Sequence, residues 1–168
     1  MSDLHVPVFP LPLVLYPGLA IPLHIFEPRY REMLADVGGL DGRFAIVLVE
    51  ADGDDAEAAR LHTVGCMARV TAHEPLPDGR ASIVVLGEER VRLLDWQEDK
   101  AYATGTVQVL EEDSGSAVLA DLVRQRYAEY VEALFAAVKI PPPEVPEGMD
   151  ACEFSYWVAG SMHLEPAE

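Results

Sequence analysis

The segment Val8–Tyr30, VFPLPLVLYPGLAIPLHIFEPRY, constrains the fold more than any other part of this chain. It is almost wholly apolar, yet prolines at 10, 12, 17 and 22 punctuate it. Interior proline removes a helical hydrogen bond and clashes with the preceding turn, so a helix is excluded. A central strand is disfavoured too, because each proline deletes a ladder donor. What remains is a set of short buried strands joined by tight turns. Tyr16-Pro17-Gly18 is one such turn, with Pro presetting φ and Gly supplying a positive value.

The character then changes. Glu27-Pro28 opens a helix, with Pro where its missing N–H costs nothing. Arg29, Tyr30, Arg31, Glu32, Met33 and Leu34 continue it, and Gly38-Gly39 stops it, so the expected helix is about Glu27–Val37.

Four pieces of this run form an ordered pattern: FPLPL (9–13), YPG (16–18), IPL (21–23) and FEPRY (26–30). The pattern closely resembles the start of the Lon protease N-terminal domain, also called the Lon substrate-binding domain. In that family a "PLP" strand, an aromatic-Pro-Gly turn, a second Pro-Leu strand and "F(E/D)PRY" follow one another. The same domain occurs free-standing in bacteria and within eukaryotic ubiquitin-ligase receptors. The resemblance implies a PUA-like barrel, and the expectation is a free-standing bacterial member.

Later segments read as strands. Arg43–Val49 is a buried strand, and Glu50–Arg60 is an acidic, small-residue stretch that suits an exposed loop. Asp52, Asp54 and Asp55 lack the ligand order and closing Glu of a calcium loop. Leu61–Glu74 and Arg80–Trp96 read as long strands around the hairpin signal Pro77-Asp78-Gly79. Gly65 and Gly87 interrupt them, as bulges or barrel bends do. Ala101–Leu110 completes the sheet. The expected class is α+β, an antiparallel β pseudo-barrel with one short helix, occupying residues 1–112.

Residues 113–168 are expected to form a small helical appendage. Leu119, Leu122, Val123, Tyr127, Tyr130, Val131, Leu134, Phe135 and Val138 recur at helical steps over about Ser116–Val138. IPPPEVPEG (140–148) reads as a stiff linker. Asp150 and Glu153 form an N-cap pair before a second helix, whose apolar stripe is Phe154, Trp157, Val158 and Met162. MHLEP (162–166) matches the family's helical region only weakly.

Charge narrows the partners. Twelve basic against 29 acidic residues give −17, with −8 over residues 1–110 and −9 over 111–168. Such a surface repels phosphate backbones and anionic lipid, so neither nucleic acid nor membrane is expected as a partner. Cys66 and Cys152 lack a CxxC arrangement, which fits two buried thiols in a reduced cytoplasmic protein. No secretory leader pattern opens the sequence.

The titratable residues match no catalytic module. A phosphate loop needs GxxxxGK(S/T), and neither Lys100 nor Lys139 follows a Gly. No segment resembles the serine–lysine protease module of Lon. His5, His24, His62, His73 and His163 show no ligand spacing; His62 and His73 could meet across strands, but a satisfied or solvated histidine is the expectation for both. Glu27, Arg29 and His24 beside Tyr30 read as helix-start electrostatics rather than catalysis. GEER (87–90) is a Lon-like element whose Arg90 reads as an internal strut. Neither a cofactor nor a metal, and no enzymatic activity, is therefore expected.

The function this implies is recognition of unfolded or extended polypeptide, or of one folded protein partner, in support of proteolysis or quality control in trans. RNA binding by a PUA-like module and small-molecule binding in a barrel groove are the rival readings. Candidate contact residues are Leu13, Tyr16, Leu19, Phe26 and Tyr30 in the matched run, with Trp157 on the helical part.

Overall fold

The computed structural model describes residues 3–52, 55–98, 100–138 and 144–162. The described residues divide into two compact units, one up to Leu110 and one from Glu111 to Met162. The first holds strands β1 (Asp3–Leu11), β2 (Ala20–Ile25), β3 (Arg43–Asp52), β4 (Asp55–Pro75), β5 (Ala81–Leu93) and β6 (Thr104–Val109), with helix α1 (Pro28–Asp36) between β2 and β3. The second holds α2 (Ala117–Val138) and α3 (Ala151–Ser161).

The six strands form one mixed sheet in the order β2-β5-β4-β3-β1-β6. The end of β5, Val91–Leu93, also pairs with β6 and closes the sheet on itself. The pairings are antiparallel except β1 with β3, which run parallel from Val8↔Ala45 to Leu11↔Leu48. An α+β architecture with a closed, mostly antiparallel sheet is therefore present, and the parallel pair is an addition to the expected pattern.

β1 runs through Pro7 and Pro10 and lies inside the sheet order, a central place that its prolines were expected to disfavour. It succeeds because its halves have different neighbours. Asp3–Pro7 pairs with β6, and Val8–Leu11 pairs with β3. Each half carries a ladder on one side, so a missing donor can face the unpaired side. The Glu50–Arg60 loop is also corrected. β3 continues to Asp52 and β4 resumes at Asp55, so this stretch extends the hairpin. An established ladder overrides the low strand propensity of small acidic residues. The expectation for Asp54 falls outside the described residues.

Both faces of the sheet are covered. Phe9, Phe44, Ile46, Ile83 and Val85 belong to one apolar cluster, which includes Tyr30, Met33 and Leu34 of α1. Val8, Ala45, Val47, Met67, Val91 and Val107 form the other. Successive residues of β1 and β3 thus point into opposite cores, which is why RFAIVLV lacks a polar alternation. Tyr30, Met33 and Leu34 sit at i, i+3 and i+4, so one helical stripe is buried. Each such side chain contributes about 1.5–3 kcal/mol on burial. The helix ends where Gly38 and Gly39 take positive φ and Gly39 N–H bonds the Leu34 carbonyl at 2.9 Å.

In the second unit, Asp150 accepts from Glu153 N–H at 2.9 Å and Glu153 accepts from Asp150 N–H at 3.1 Å, a complete capping box. Phe154 is buried, and Arg124 lies 3.9 Å above its ring while donating to the carbonyls of Pro146 and Met149. The α2 stripe is only partly used. Tyr127 and Val131 are buried, whereas Leu119, Leu122, Val123, Tyr130 and Leu134 are exposed. Residues 139–143, which include three of the four prolines of the 140–148 stretch, and the segment from His163 lie outside the described residues. Among the described residues, no helix is long and apolar enough to cross a membrane.

Candidate polypeptide-binding surface

The Tyr16-Pro17-Gly18 turn is pinned to the sheet by Gly87. Gly18 N–H donates to the Gly87 carbonyl and Gly87 N–H donates to the Leu19 carbonyl, each at 2.9 Å. Leu19 N–H closes the turn on the Tyr16 carbonyl at 3.2 Å. The ladder register shifts beside Gly87, where Cys66 faces Arg90 and Ala68 faces Gly87. This is the bulge that the interrupting glycine signalled. The turn then delivers β2 to the outer edge of the sheet.

β2 pairs only with β5, in the register Ile21↔Val85, Pro22↔Val84 and Leu23↔Ile83. The Gly87 N–H bond to Leu19 sets the alternation, so the bonded positions are Ile21, Leu23 and Ile25. Pro22 falls between them and faces the free edge, where its lack of N–H breaks no ladder bond. It also blunts that edge against another strand.

Beyond β2 the chain presents Phe26, which is 58% exposed. The His24 ring stacks on it with centroids 6.1 Å apart. His24 also borders an open cleft of about 400 Å3, lined by Pro22, Leu23, Ala72 and Val84 together with Ser82, His73 and Glu74. A second cleft, of about 380 Å3, lies between α1 and the β4–β5 hairpin and shares His73 with the first.

The five candidate contact residues of the first unit differ in exposure. Phe26 is presented outward. Leu13, Tyr16 and Leu19 are half-buried, and Leu13 packs against the core under α1. Tyr30 is 7% exposed, with its ring 4.1 Å from that of Phe9, so it is a core residue. Burial holds its phenol above the ordinary value. Trp157 lies in the other unit, half-buried, edge-on to Tyr127 at 5.1 Å. The sequence reading missed the outward face made by Ala72, Ser82 and Val84. Its only signal was strand alternation, and small residues on an outer face do not register as a site.

Ionic contacts fasten this surface to the barrel. Arg29 pairs with Glu27 at 2.8 Å and lies 4.6 Å above the Tyr30 ring, so its partner is the N-cap residue itself. Glu88 of the GEER element accepts from Arg69 at 2.7 Å and from Arg43 at 3.0 Å, tying β5 to β4 and β3. Lys100 donates to Asp36 and to the Tyr102 hydroxyl, each at 2.9 Å, and that hydroxyl donates to Asp36 at 2.5 Å. This triad fixes the last turn of α1 to the segment before β6. Tyr102 first, then Lys100, holds the Asp36 carboxyl below its usual range. The Lys100 ammonium is raised, first by the Tyr102 hydroxyl and then by Asp36.

Two further expectations are corrected here. His62 and His73 lie on the same strand, β4, so they do not meet across a hairpin. His62 instead contacts Glu50 at 2.9 Å. Cys66 is buried, but Cys152 is only partly so. Among the described residues, no group of three His, Cys, Asp or Glu side chains is placed to hold a metal.

The family model described as ATP-dependent protease La (LON) substrate-binding domain matches residues 5–168. The chain belongs to the Lon substrate-binding domain family. Lon protease 2 of Herpetosiphon aurantiacus is 29% identical over 83% of the chain. The Lon protease of Xanthomonas oryzae pv. oryzae is 37% identical over 52%. The chain covers only 18% and 11% of these relatives' lengths. A crystal structure of a Lon N-terminal domain protein from Xanthomonas campestris shares the fold at TM-score 0.59 and 24% identity, covering 95% of this chain and 99% of that one. The N-terminal domain of Mycobacterium avium complex Lon protease shares it at TM-score 0.56 and 20% identity, over 80% and 68%. In this Lon-type domain the family pattern maps onto β1, the Gly87-anchored turn, β2 and the start of α1.

Proposed function

We propose that this Lon-type domain binds unfolded or extended polypeptide through the surface around Phe26, without catalysing a reaction on it. The observation that carries this reading is Phe26 itself: an exposed aromatic side chain stacked on His24, and His24 in turn lines a cleft whose surface is mostly apolar. Open apolar surface beside a polar rim is what an extended chain can use. Family membership supports the substrate class. The sequence supplies neither a phosphate loop nor a serine–lysine module, which supports binding rather than hydrolysis. A cytoplasmic setting and service to a protease in trans belong to the same proposal. The acidic surface opposes RNA.

The test is capture of a chemically unfolded model protein by the immobilised domain. The Phe26→Asp variant is expected to lose most capture while its melting temperature stays within a degree or so of the parent. Undiminished capture by the folded variant would remove Phe26 from the site. If the parent captures no unfolded chain, an adaptor role toward one folded partner becomes the better reading.

A further inference from the structure

The two clefts differ in kind. The first carries Glu74 and Ser82 among mostly apolar walls, whereas the second adds Arg31 and Arg80 to the shared His73, together with Leu34, Pro75 and Ala81. Only 12 basic residues exist in a chain of net charge −17, and two of them face this one small space. Their environments are unequal. Arg80 is held by Asp78 at 2.6 Å, and its Nη1 lies 3.3 Å from His24 Nε2. Arg31 reaches from α1 to the hairpin turn, where a Cβ on Gly79 would stand 2.1 Å from its Nη2. No carboxylate among the described residues forms an ion pair with Arg31. Its planar fork of donors is therefore available, in the geometry that carboxylates accept from two sides.

Building on the polypeptide-binding reading, we propose that this cleft seats the C-terminal carboxylate of an extended polypeptide on Arg31. The apolar side chains that precede the terminus run past His73 into the neighbouring cleft. The chemistry selects this ligand. A volume of about 380 Å3 suits the end of a chain rather than a passing segment, being near the small end of the about 300–1,000 Å3 of ligand clefts. Leu34, Ala35, Pro75 and Ala81 give it apolar walls for the last side chain. Gly38 and Gly39 bring the carbonyl end of α1 to the same space, and that end disfavours an anion. The seat is therefore the guanidinium beside Gly79, away from the last helical turn. Elsewhere the acidic surface repels a carboxylate, so the cleft also gives direction to binding.

Fluorescence anisotropy with a short labelled peptide ending in two leucines tests this. The peptide is used as the free acid, as the C-terminal amide, and as an amide carrying an internal Glu. The free acid is expected to bind about tenfold more tightly than either amide, the size of one charge-assisted pair. Arg31→Gln is expected to erase that difference at an unchanged melting temperature, and Arg31→Lys to keep part of it. Equal binding of acid and plain amide overturns the proposal. So does an internal-Glu amide that matches the acid, which would assign the cleft to side-chain carboxylates. So does a difference that survives in Arg31→Gln, or an acid that does not bind. Capture of unfolded protein, measured in parallel, separates the two readings: capture without acid preference removes only the carboxylate seat, and loss of both removes polypeptide binding itself.

Discussion

A Cβ on Gly87 would stand 2.3 Å from the carbonyl oxygen of Tyr16. The atom in the way is backbone, and it belongs to the turn that Gly87 itself holds through two hydrogen bonds. Neither partner can yield without breaking the other's geometry. Gly87→Ala is therefore expected to destabilise the barrel unit by about 1–3 kcal/mol, as overpacked sites do. Urea denaturation checks this. A variant within a few tenths of the parent would show that the turn can detach without cost.

This contact also marks where the sequence could be read and where it could not. FPLPL, YPG, IPL and FEPRY announced their elements because proline and glycine act locally, through φ and missing donors. The helix stop at Gly38-Gly39 and the cap at Asp150 were legible for the same reason. The partner of the turn was not, because Gly87 lies far along the chain and a glycine in a strand signals a close approach without naming what approaches. The parallel pairing of β1 with β3 was hidden likewise, since antiparallel and parallel neighbours leave the same apolar signature in a strand buried on both faces. Tyr30 shows the limit at the site. Its place in the matched motif said that it mattered, but helical phase puts it beside Met33 and Leu34, in the core.

The Asp36, Tyr102 and Lys100 triad predicts a pH dependence. The folded-state carboxyl of Asp36 is depressed, so its contribution is fully present above the unfolded value of about 3.9 and fades as pH falls below it. Lys100 is raised, so its contribution is present below the ordinary lysine value of about 10.4 and is lost only at higher pH. Asp36→Asn should thus lower stability at neutral pH and flatten the acid limb of the urea midpoint against pH. An acid limb parallel to that of the parent would mean that Asp36 titrates alike folded and unfolded.

The capping box of α3 gives a local test. Asp150→Ala removes the acceptor for Glu153 N–H and is expected to cost about 0.5–2 kcal/mol. Asp150→Ser should restore most of it, because a hydroxyl can accept the same bond. Thermal melts followed by far-ultraviolet circular dichroism would report both. Equal melts for parent and Asp150→Ala would show that Phe154 and Arg124 hold α3 without its cap.

The contrast between Phe26 and Tyr30 ties stability to function. They stand four residues apart in FEPRY, yet one is 58% and the other 7% exposed. Tyr30 packs on Phe9 in the cluster that carries Met33, Leu34 and Phe44, so Tyr30→Ala leaves a cavity under α1. Its cost is expected to be about 3–5 kcal/mol, the range of large aromatic truncations. Phe26→Ala leaves no cavity and should change stability by no more than about 0.5 kcal/mol, as surface substitutions do. Capture of unfolded protein is expected to follow the reverse order. Phe26→Ala should weaken it in a fully folded domain, while Tyr30→Ala, corrected for the folded fraction, should leave it near that of the parent. Equal capture by all three folded proteins would place the binding surface elsewhere. A stable Tyr30→Ala variant with impaired capture would show that α1 shifts to expose its inner face to the client.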